Sequence, residues 1–574
     1  MKLETFFDNF ELLADAPNGV QKLREMILQL AVRGKLVPQD ANDEPAGVLV
    51  EKLMKGKKIK KTNDLIPIHE NEIPYEIPVG WKWVRLGNIF SLKTGATPST
   101  KNLNYWNGNI RWLKSGDVNQ GKIFDCEGRI TEKGLENSNC KILPIDSVLI
   151  ALNGQGKTRG TVAMLRIEAA CNQSLVAMIS ENKEDFIPEY LLFYLKANYM
   201  NIRNITGHKQ RRGLNMKIVG NLLVALPPSN EQYRIVARVD HLMSLCDELE
   251  ARQQKKRESR ARLNNAALDR LLAARAPGEF AEGWRRISDN FDLLYDAPEN
   301  VGALRQAILQ LAVMGKLVAQ DASDEPASVL LEKIEAEKEN LVRDKKIKKA
   351  EPLPPIEMEE APFDLPNGWQ WAKLGNLCEL ITKGSSPKWQ GVNYVEPENG
   401  ILFITSENVG SYLLNLKEPK YVEKKFNEIE PRSILKQNDI LMNIVGASIG
   451  RTAIYDRNDI ANINQAVCLI RVIDKQNLLN LRYLLHFFNS PICISFMFDK
   501  QVDNARANLS MGNISKFPVP LPPYLEQERI ADKVNQLMSL CDNLEASLSR
   551  SQADGERLME EVVRVVSGAD CKSK

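Results

Sequence analysis

The chain has 574 residues, a 43% hydrophobic fraction and a net charge of +2. At roughly 100–200 residues per domain this requires several ordinary folded cores, and it excludes a largely disordered chain. Near-neutral charge excludes a polycation that coats nucleic acid indiscriminately, so any phosphate contact has to come from local basic clusters. Nine cysteines without a Cys-x-x-Cys pair and four histidines without a His-Glu-x-x-His pattern support neither a disulfide frame nor a standard zinc site. No apolar run approaches the ~20 residues that span a bilayer, and Met1 to Asp15 does not resemble a cleaved leader. The expectation is a soluble cytoplasmic protein with no membrane partner.

The first region, 1–64, opens with Val20, Leu23, Ile27, Leu30 and Ala31 on one helical stripe, stopped by Gly34. A lysine run follows, Lys57-Lys58-Ile59-Lys60-Lys61, and then Pro67, Pro74 and Pro78, which favour extended chain and mark a boundary. The next region, 65–229, begins at Gly80-Trp81-Lys82-Trp83 with Leu86-Gly87 and reads as a compact α+β domain. Its strands are predicted at Ser147 to Ile150 and Thr161 to Met164, Asn172-Gln173 opens another apolar segment, and a short helix is predicted around Tyr190 to Leu192. Leu226-Pro227-Pro228 with Glu231-Gln232 then opens the central region, 230–350. There Ile235, Val239, Leu242, Cys246 and Leu249 alternate by four and three, the seam of a coiled coil.

Within that region the chain starts over. Positions 289 to 321 repeat 8 to 40 at most residues in register, Ile308 to Val313 restating Ile27 to Val32 unchanged. Lys345-Lys346-Ile347-Lys348-Lys349 and a proline-bearing linker follow, and region 351–525 opens on Gly368-Trp369-Gln370-Trp371. Its strands are predicted at Asp439 to Met442 and Thr452 to Tyr455, with Asn464-Gln465 and Tyr483 to Leu485 as counterparts of the first domain. Leu521-Pro522-Pro523 with Glu526-Gln527 leads into region 526–574, whose seam is Ile530, Val534, Leu537, Cys541, Leu544 and Leu548. Both closing helices should run roughly 40 residues, about 60 Å. The predicted fold is α+β: two such domains separated by an antiparallel two-helix coiled coil, in a pseudo-two-fold tandem repeat with a constant frame and divergent middles.

Catalytic motifs are thin. Gly154-Gln155-Gly156-Lys157-Thr158 lacks the first glycine of a phosphate loop, Ala151 standing there, and Gly450-Arg451-Thr452 has Val445 in that place. Leu521-Pro522-Pro523-Tyr524 lacks the Asp or Asn that an amine-methylating loop needs. Binding chemistry is better represented. Lys209, Gln210, Arg211, Arg212 and Asn215, with Gln501, Asn504, Arg506, Asn508 and Ser510 in the corresponding place, supply the arginines that suit guanine and the amides that suit adenine in a major groove; a solvated loop fits them equally. Lys157, Thr158 and Arg159 with Arg451 and Thr452, and Lys114 and Ser115 with Ser406 and Asn408, are weaker candidates of that kind. Trp106 and Trp389 lie outside the shared frame and are candidates for DNA contact, whereas Trp81, Trp83, Trp369 and Trp371 read as core. The lysine runs and the Arg252 to Arg262 group read as solvated faces before DNA contacts.

In its repeated Ile-Leu-Gln-Leu-Ala-Val-x-Gly-Lys-Leu-Val, Gly-Trp-x-Trp-x-x-Leu-Gly and Leu-Pro-Pro-x-x-Glu-Gln segments the chain resembles the specificity subunit of type I DNA restriction-modification systems, in the longer subfamily with an N-terminal copy of the repeated region. The resemblance covers essentially the whole length. It implies two target-recognition domains that each read half of a bipartite asymmetric site in double-stranded DNA, with the coiled coil setting the spacer. It implies two modification subunits carrying S-adenosylmethionine for adenine methylation and two restriction subunits using ATP and Mg, with no cofactor, metal or catalytic residue on this chain. The competing readings are a methyltransferase or ATPase with an unrecognised site, and a coiled-coil scaffold that binds proteins only.

Overall fold

The computed structural model describes residues 8–56, 67–154, 157–180, 186–205, 213–349, 353–354, 356, 361–473, 478–499 and 509–567. They fall into two compact units, Met1–Lys256 with Ser551–Lys574, and Arg257–Arg550.

In the first unit the Gly19–Val32 helix buries Leu23, Ile27, Leu30 and Ala31 completely. It stops at Gly34, whose φ of +67° favours glycine, and where a Cβ would lie 2.4 Å from Pro78 and 3.1 Å from Trp81. The glycine thus turns the chain and lets the start of the next domain close over the helix end. Lys82–Arg85 pairs antiparallel with Leu223–Leu226, joining the two ends of the middle region. Between them lies a five-stranded sheet in the order Ser91–Thr94, Leu175–Ile179, Val148–Ala151, Val162–Leu165, Lys122–Ile123, and a three-stranded sheet of Arg129–Ile130, Trp106–Leu113 and Ala170–Cys171. The central strands are buried at every position because both faces are covered. Val148, Ile150, Val176 and Met178 join the core that holds the Pro188–Ala197 helix, and Leu149, Ala151, Leu175 and Ala177 join a second core. Two of these strands start one residue later than the apolar runs predict, Ser147 being spent on a turn in which its hydroxyl donates to Pro144 O at 2.7 Å.

The second unit repeats this plan. The Pro298–Val313 helix ends at Gly315, φ +68°, against Pro366 and Trp369. Gln370–Lys373 pairs with Pro518–Leu521. A four-stranded sheet runs Cys378–Lys383, Val467–Val472, Asp439–Asn443, Thr452–Tyr455, and a three-stranded one runs Lys420–Glu423, Gly400–Ile404, Ala461–Ile463. Each domain is α+β, and the two stand in tandem along the chain.

The long helices span Ser229–Ala273 and Tyr524–Ser567, 45 and 44 residues. In the first unit Ile235, Val239, Leu242, Cys246 and Leu249 share a core with Leu23, Ile27 and Leu30, and with Met559 and Val562. In the second, Ile530, Val534 and Cys541 share one with Val301, Leu304 and Ile308, and with Leu268 and Leu271, while Leu537, Leu544 and Leu548 pack at its margin. Arg24 bridges Asp247 and Glu250 at 2.5 and 2.9 Å, and Arg305 bridges Asp542 and Glu545 at 2.6 and 3.0 Å. Each seam therefore serves more than a two-helix coil requires, since it also takes the repeated short helix of its own unit.

The Glu-Gln pair at each long-helix start is buried. The Trp81 indole donates to Glu231 at 2.9 Å and Gln39 donates to its other oxygen at 2.7 Å; Trp369 and Gln320 do the same to Glu526 at 3.0 and 3.2 Å. Gln232 accepts from Ile187 N and donates to Pro227 O, as Gln527 does with Asn480 N and Pro522 O. Asp43 pairs with Arg234 at 2.5 Å and Asp324 with Arg529 at 2.6 Å. Burial raises the Glu231 carboxyl above the usual range against the pull of these donors, and Glu526 likewise. A folded state that holds this proton more tightly than the unfolded chain is favoured most below the unfolded pKa, and the advantage is lost as pH rises through the folded value. Glu231→Gln, which keeps an acceptor for the indole, should flatten that part of the profile in urea unfolding between about pH 4 and pH 7; a slope identical to the parent's would contradict it.

Candidate nucleic-acid interface

In each unit backbone hydrogen bonds gather the ends of four chain segments. In the first, Asn172 N donates to Leu113 O at 2.9 Å, setting the Asn172-Gln173 turn beside Lys114 and Ser115. Leu152 N donates to Ser174 O at 2.8 Å and Leu214 N to Leu152 O at 2.9 Å, bringing in the loop that carries Lys157, Thr158 and Arg159 and the chain before Asn215. The second unit repeats the pattern through Asn464 N to Ile404 O, Ile444 N to Ala466 O and Leu509 N to Ile444 O, each 3.0 Å. Gly95 and Gly384 admit the entering strand: a Cβ would lie 1.6 Å from Cys171 O at one and 1.8 Å from Ile463 O at the other. The Asn-Gln pairs are turns in which Asn172 and Asn464 each accept the backbone N–H two residues on at 3.0 Å.

The candidates divide by exposure. Lys114, Lys157 and Arg451 are exposed, and Ser115, Thr158, Arg159 and Ser406 are half-buried. Arg159 and Arg203 each donate to the other's carbonyl, at 3.3 and 3.4 Å, which ties the loop to the neighbouring helix. Two candidates are corrected. The Thr452 side chain is fully buried and donates to Gly450 O at 3.0 Å; Asn408 is buried, accepts from Thr405 and donates to Asn415 O. Neither offers an atom to an outside ligand. Asn215 and Ser510, at equivalent places, cap short helices by accepting from Ile218 N at 2.9 Å and Asn513 N at 3.1 Å. Trp106 is half-buried, donates to Ser99 O at 3.2 Å and meets Trp112 edge-on at 5.1 Å, whereas Trp389 is 75% exposed. Trp81 and Trp369 are core, and Trp83 and Trp371 pack on Tyr75 and Phe363. Lys209, Gln210, Arg211, Arg212, Gln501, Asn504, Arg506, Asn508 and Lys57 to Lys61 lie outside the described residues.

Sequence reasoning passed over Asn443. Buried at the end of a strand, it donates to Ser406 O at 2.9 Å and Val409 O at 3.1 Å and so holds the Ser406 loop, where the first unit has Ala151. A lone amide closing the apolar run Asp439 to Asn443 was its only signal. Chemically the interface offers cations, hydroxyls and amides. The titratable groups behind it are quenched: burial pushes Cys171 up to about 12 and His486, beside Tyr412, down to about 4. Among the described residues no group of His, Cys, Asp or Glu is arranged to hold a metal ion, and no helix is long and apolar enough to cross a membrane.

The family model for the type I restriction modification DNA specificity domain matches residues 78–258 and again 366–550. The chain is 33% identical over 563 residues to the type I restriction enzyme EcoAI specificity subunit of Escherichia coli, covering 92% of this chain and 90% of that one. It is 30% identical over 574 residues to the EcoEI specificity subunit of the same organism, covering 93% and 91%. Among solved structures, the HsdS subunit from Thermoanaerobacter tengcongensis aligns over 87% of this chain and 99% of its own, with 19% identity and a TM-score of 0.44.

The caps and the exposed indole should separate in stability measurements. Asn215→Ala should cost about 1 kcal/mol, while Trp389→Ala should stay within about 0.5 kcal/mol of the parent. Urea midpoints of the two variants check this, and equal losses would show that Trp389 is not free of the fold.

Proposed function

Because the chain belongs to the type I restriction modification DNA specificity family, in which its part is recognition and not catalysis, we propose that each α+β domain reads one half of a bipartite, asymmetric DNA site. One observation carries this: the same Trp–Glu–Gln lock and the same four-segment junction recur in both units, while the residues that the junctions display differ. Two unlike readers on one frame give two unlike half-sites, which orients the protein on the duplex. The long helices set the spacer, because readers approaching from one side must be about a helical turn, ~34 Å, apart to meet major grooves on the same face. Two modification subunits, carrying S-adenosylmethionine for adenine methylation, and two restriction subunits, using ATP and Mg, supply the chemistry. The cytoplasm, where DNA and those cofactors meet, is the compartment.

Four residues inserted into one long helix add about 6 Å along its axis, so selection from random duplexes should return a spacer longer by one or two pairs at ~3.4 Å each. The half-sites should be unchanged, and recovery of the original spacer would refute the helix as ruler. Since the frame offers its repeated surface twice, native mass measurement should find two modification subunits per chain. A one-to-one complex would refute the equivalence of the two surfaces.

A further inference from the structure

In a DNA-specificity subunit most of the basic stretch of the first long helix has no part in the frame or in the junctions. Between 252 and 262 the first long helix carries six cations, Arg252, Lys255, Lys256, Arg257, Arg260 and Arg262, against the single anion Glu258. The helix is continuous through this stretch. At 3.6 residues per turn Arg252, Lys255, Lys256 and Arg262 fall on one face about 120° wide, and all four are exposed. The residues that pack the helix, Leu242, Cys246 and Leu249 before this stretch and Asn264 and Leu268 after it, are buried on another side. Arginines with a frame role are neutralised: Arg24 by Asp247, Arg234 by Asp43 and Arg260 by Asp296. Among the described residues no such ion pair joins the four.

The tandem copy supplies a control. The positions that build the frame keep their residues in both copies, as Glu231 and Glu526 do, but the equivalent positions on the second long helix are Ser547, Arg550, Ser551 and Arg557, the last paired with Asp554 at 3.6 Å. The second copy keeps two of the four cations, one of them paired, so a frame that folds there with half the charge does not need the full set in the other.

We propose that Arg252, Lys255, Lys256 and Arg262 form a phosphate-binding face that holds the DNA backbone of the spacer between the half-sites. This rests on the recognition reading given above. Spacer bases are not read, so that stretch of duplex presents only phosphates to a protein, and exposed unpaired cations are what binds them without regard to sequence. From 252 to 262 the helix rises about 15 Å, the length of roughly four base-pair steps at ~3.4 Å.

The test uses the full chain assembled with its modification subunits and the duplex that this complex selects from a random pool. Binding is measured against salt for the parent and for the fourfold variant R252Q/K255Q/K256Q/R262Q. The slope of log K against log salt should shrink by about 2 to 4, with the preference for the selected over an unrelated duplex intact. An unchanged slope overturns the proposal. So does a variant that loses a modification subunit in native mass measurement while the remaining DNA binding keeps the parental slope, since the face would then dock a protein. A parent complex that prefers no duplex over another fails earlier and sinks the recognition reading itself.

Discussion

A carboxylate buried under an indole holds each unit together. Glu231 and Glu526 sit in the first turn of a long helix, receive the indole N–H of the tryptophan that opens the recognition domain, and receive an amide from just past the repeated short helix. Helix, domain start and N-terminal frame therefore meet at one acceptor. Leaving such a group buried and unsatisfied would cost about 1–3 kcal/mol per lost partner, so all three elements have to arrive together. The adjacent glutamine extends the constraint by accepting the backbone N–H at the domain's own helix, Ile187 in one unit and Asn480 in the other.

This arrangement explains how two domains on the same frame can diverge. The central strands are covered on both faces, so their residues are committed to two cores. Variation is left to the connections, and the glycines at 95 and 384 and the Asx turns at 172 and 464 keep the ends of those connections in the same places. Asn443 shows how such a difference is absorbed. It replaces the Ala151 of the first unit and spends its amide N–H on two carbonyls of a neighbouring loop, so one buried polar residue re-forms that loop without disturbing the strand.

The polar residues at the junction serve two purposes that look alike in sequence. Asn215, Ser510, Asn408 and Thr452 satisfy backbone or neighbouring groups, while Lys114, Lys157, Arg451 and the Trp389 indole stay open to solvent. Amides and hydroxyls are favoured at caps and turns for the same hydrogen-bonding capacity that makes them useful at a base edge. Only the position of the partner separates the two uses.

The sequence by itself determined the duplication, the α+β class of each middle, the long closing helices and the glycine stops at 34 and 315, because these depend on local periodicity and on backbone conformations that few residues adopt. It also placed Trp81 and Trp369 in the core, since both belong to the repeated frame. Tertiary structure alone decided that Glu231 and Glu526 are buried acceptors and not merely helix-opening residues, that each seam also packs on the repeated short helix, and that Thr452 and Asn408 face inward. Those outcomes depend on contacts between residues as far apart as Gln39 and Glu231 or Arg305 and Asp542. Spacing along a chain carries the period of a helix or strand, but the partner of a polar side chain is chosen only when distant segments meet.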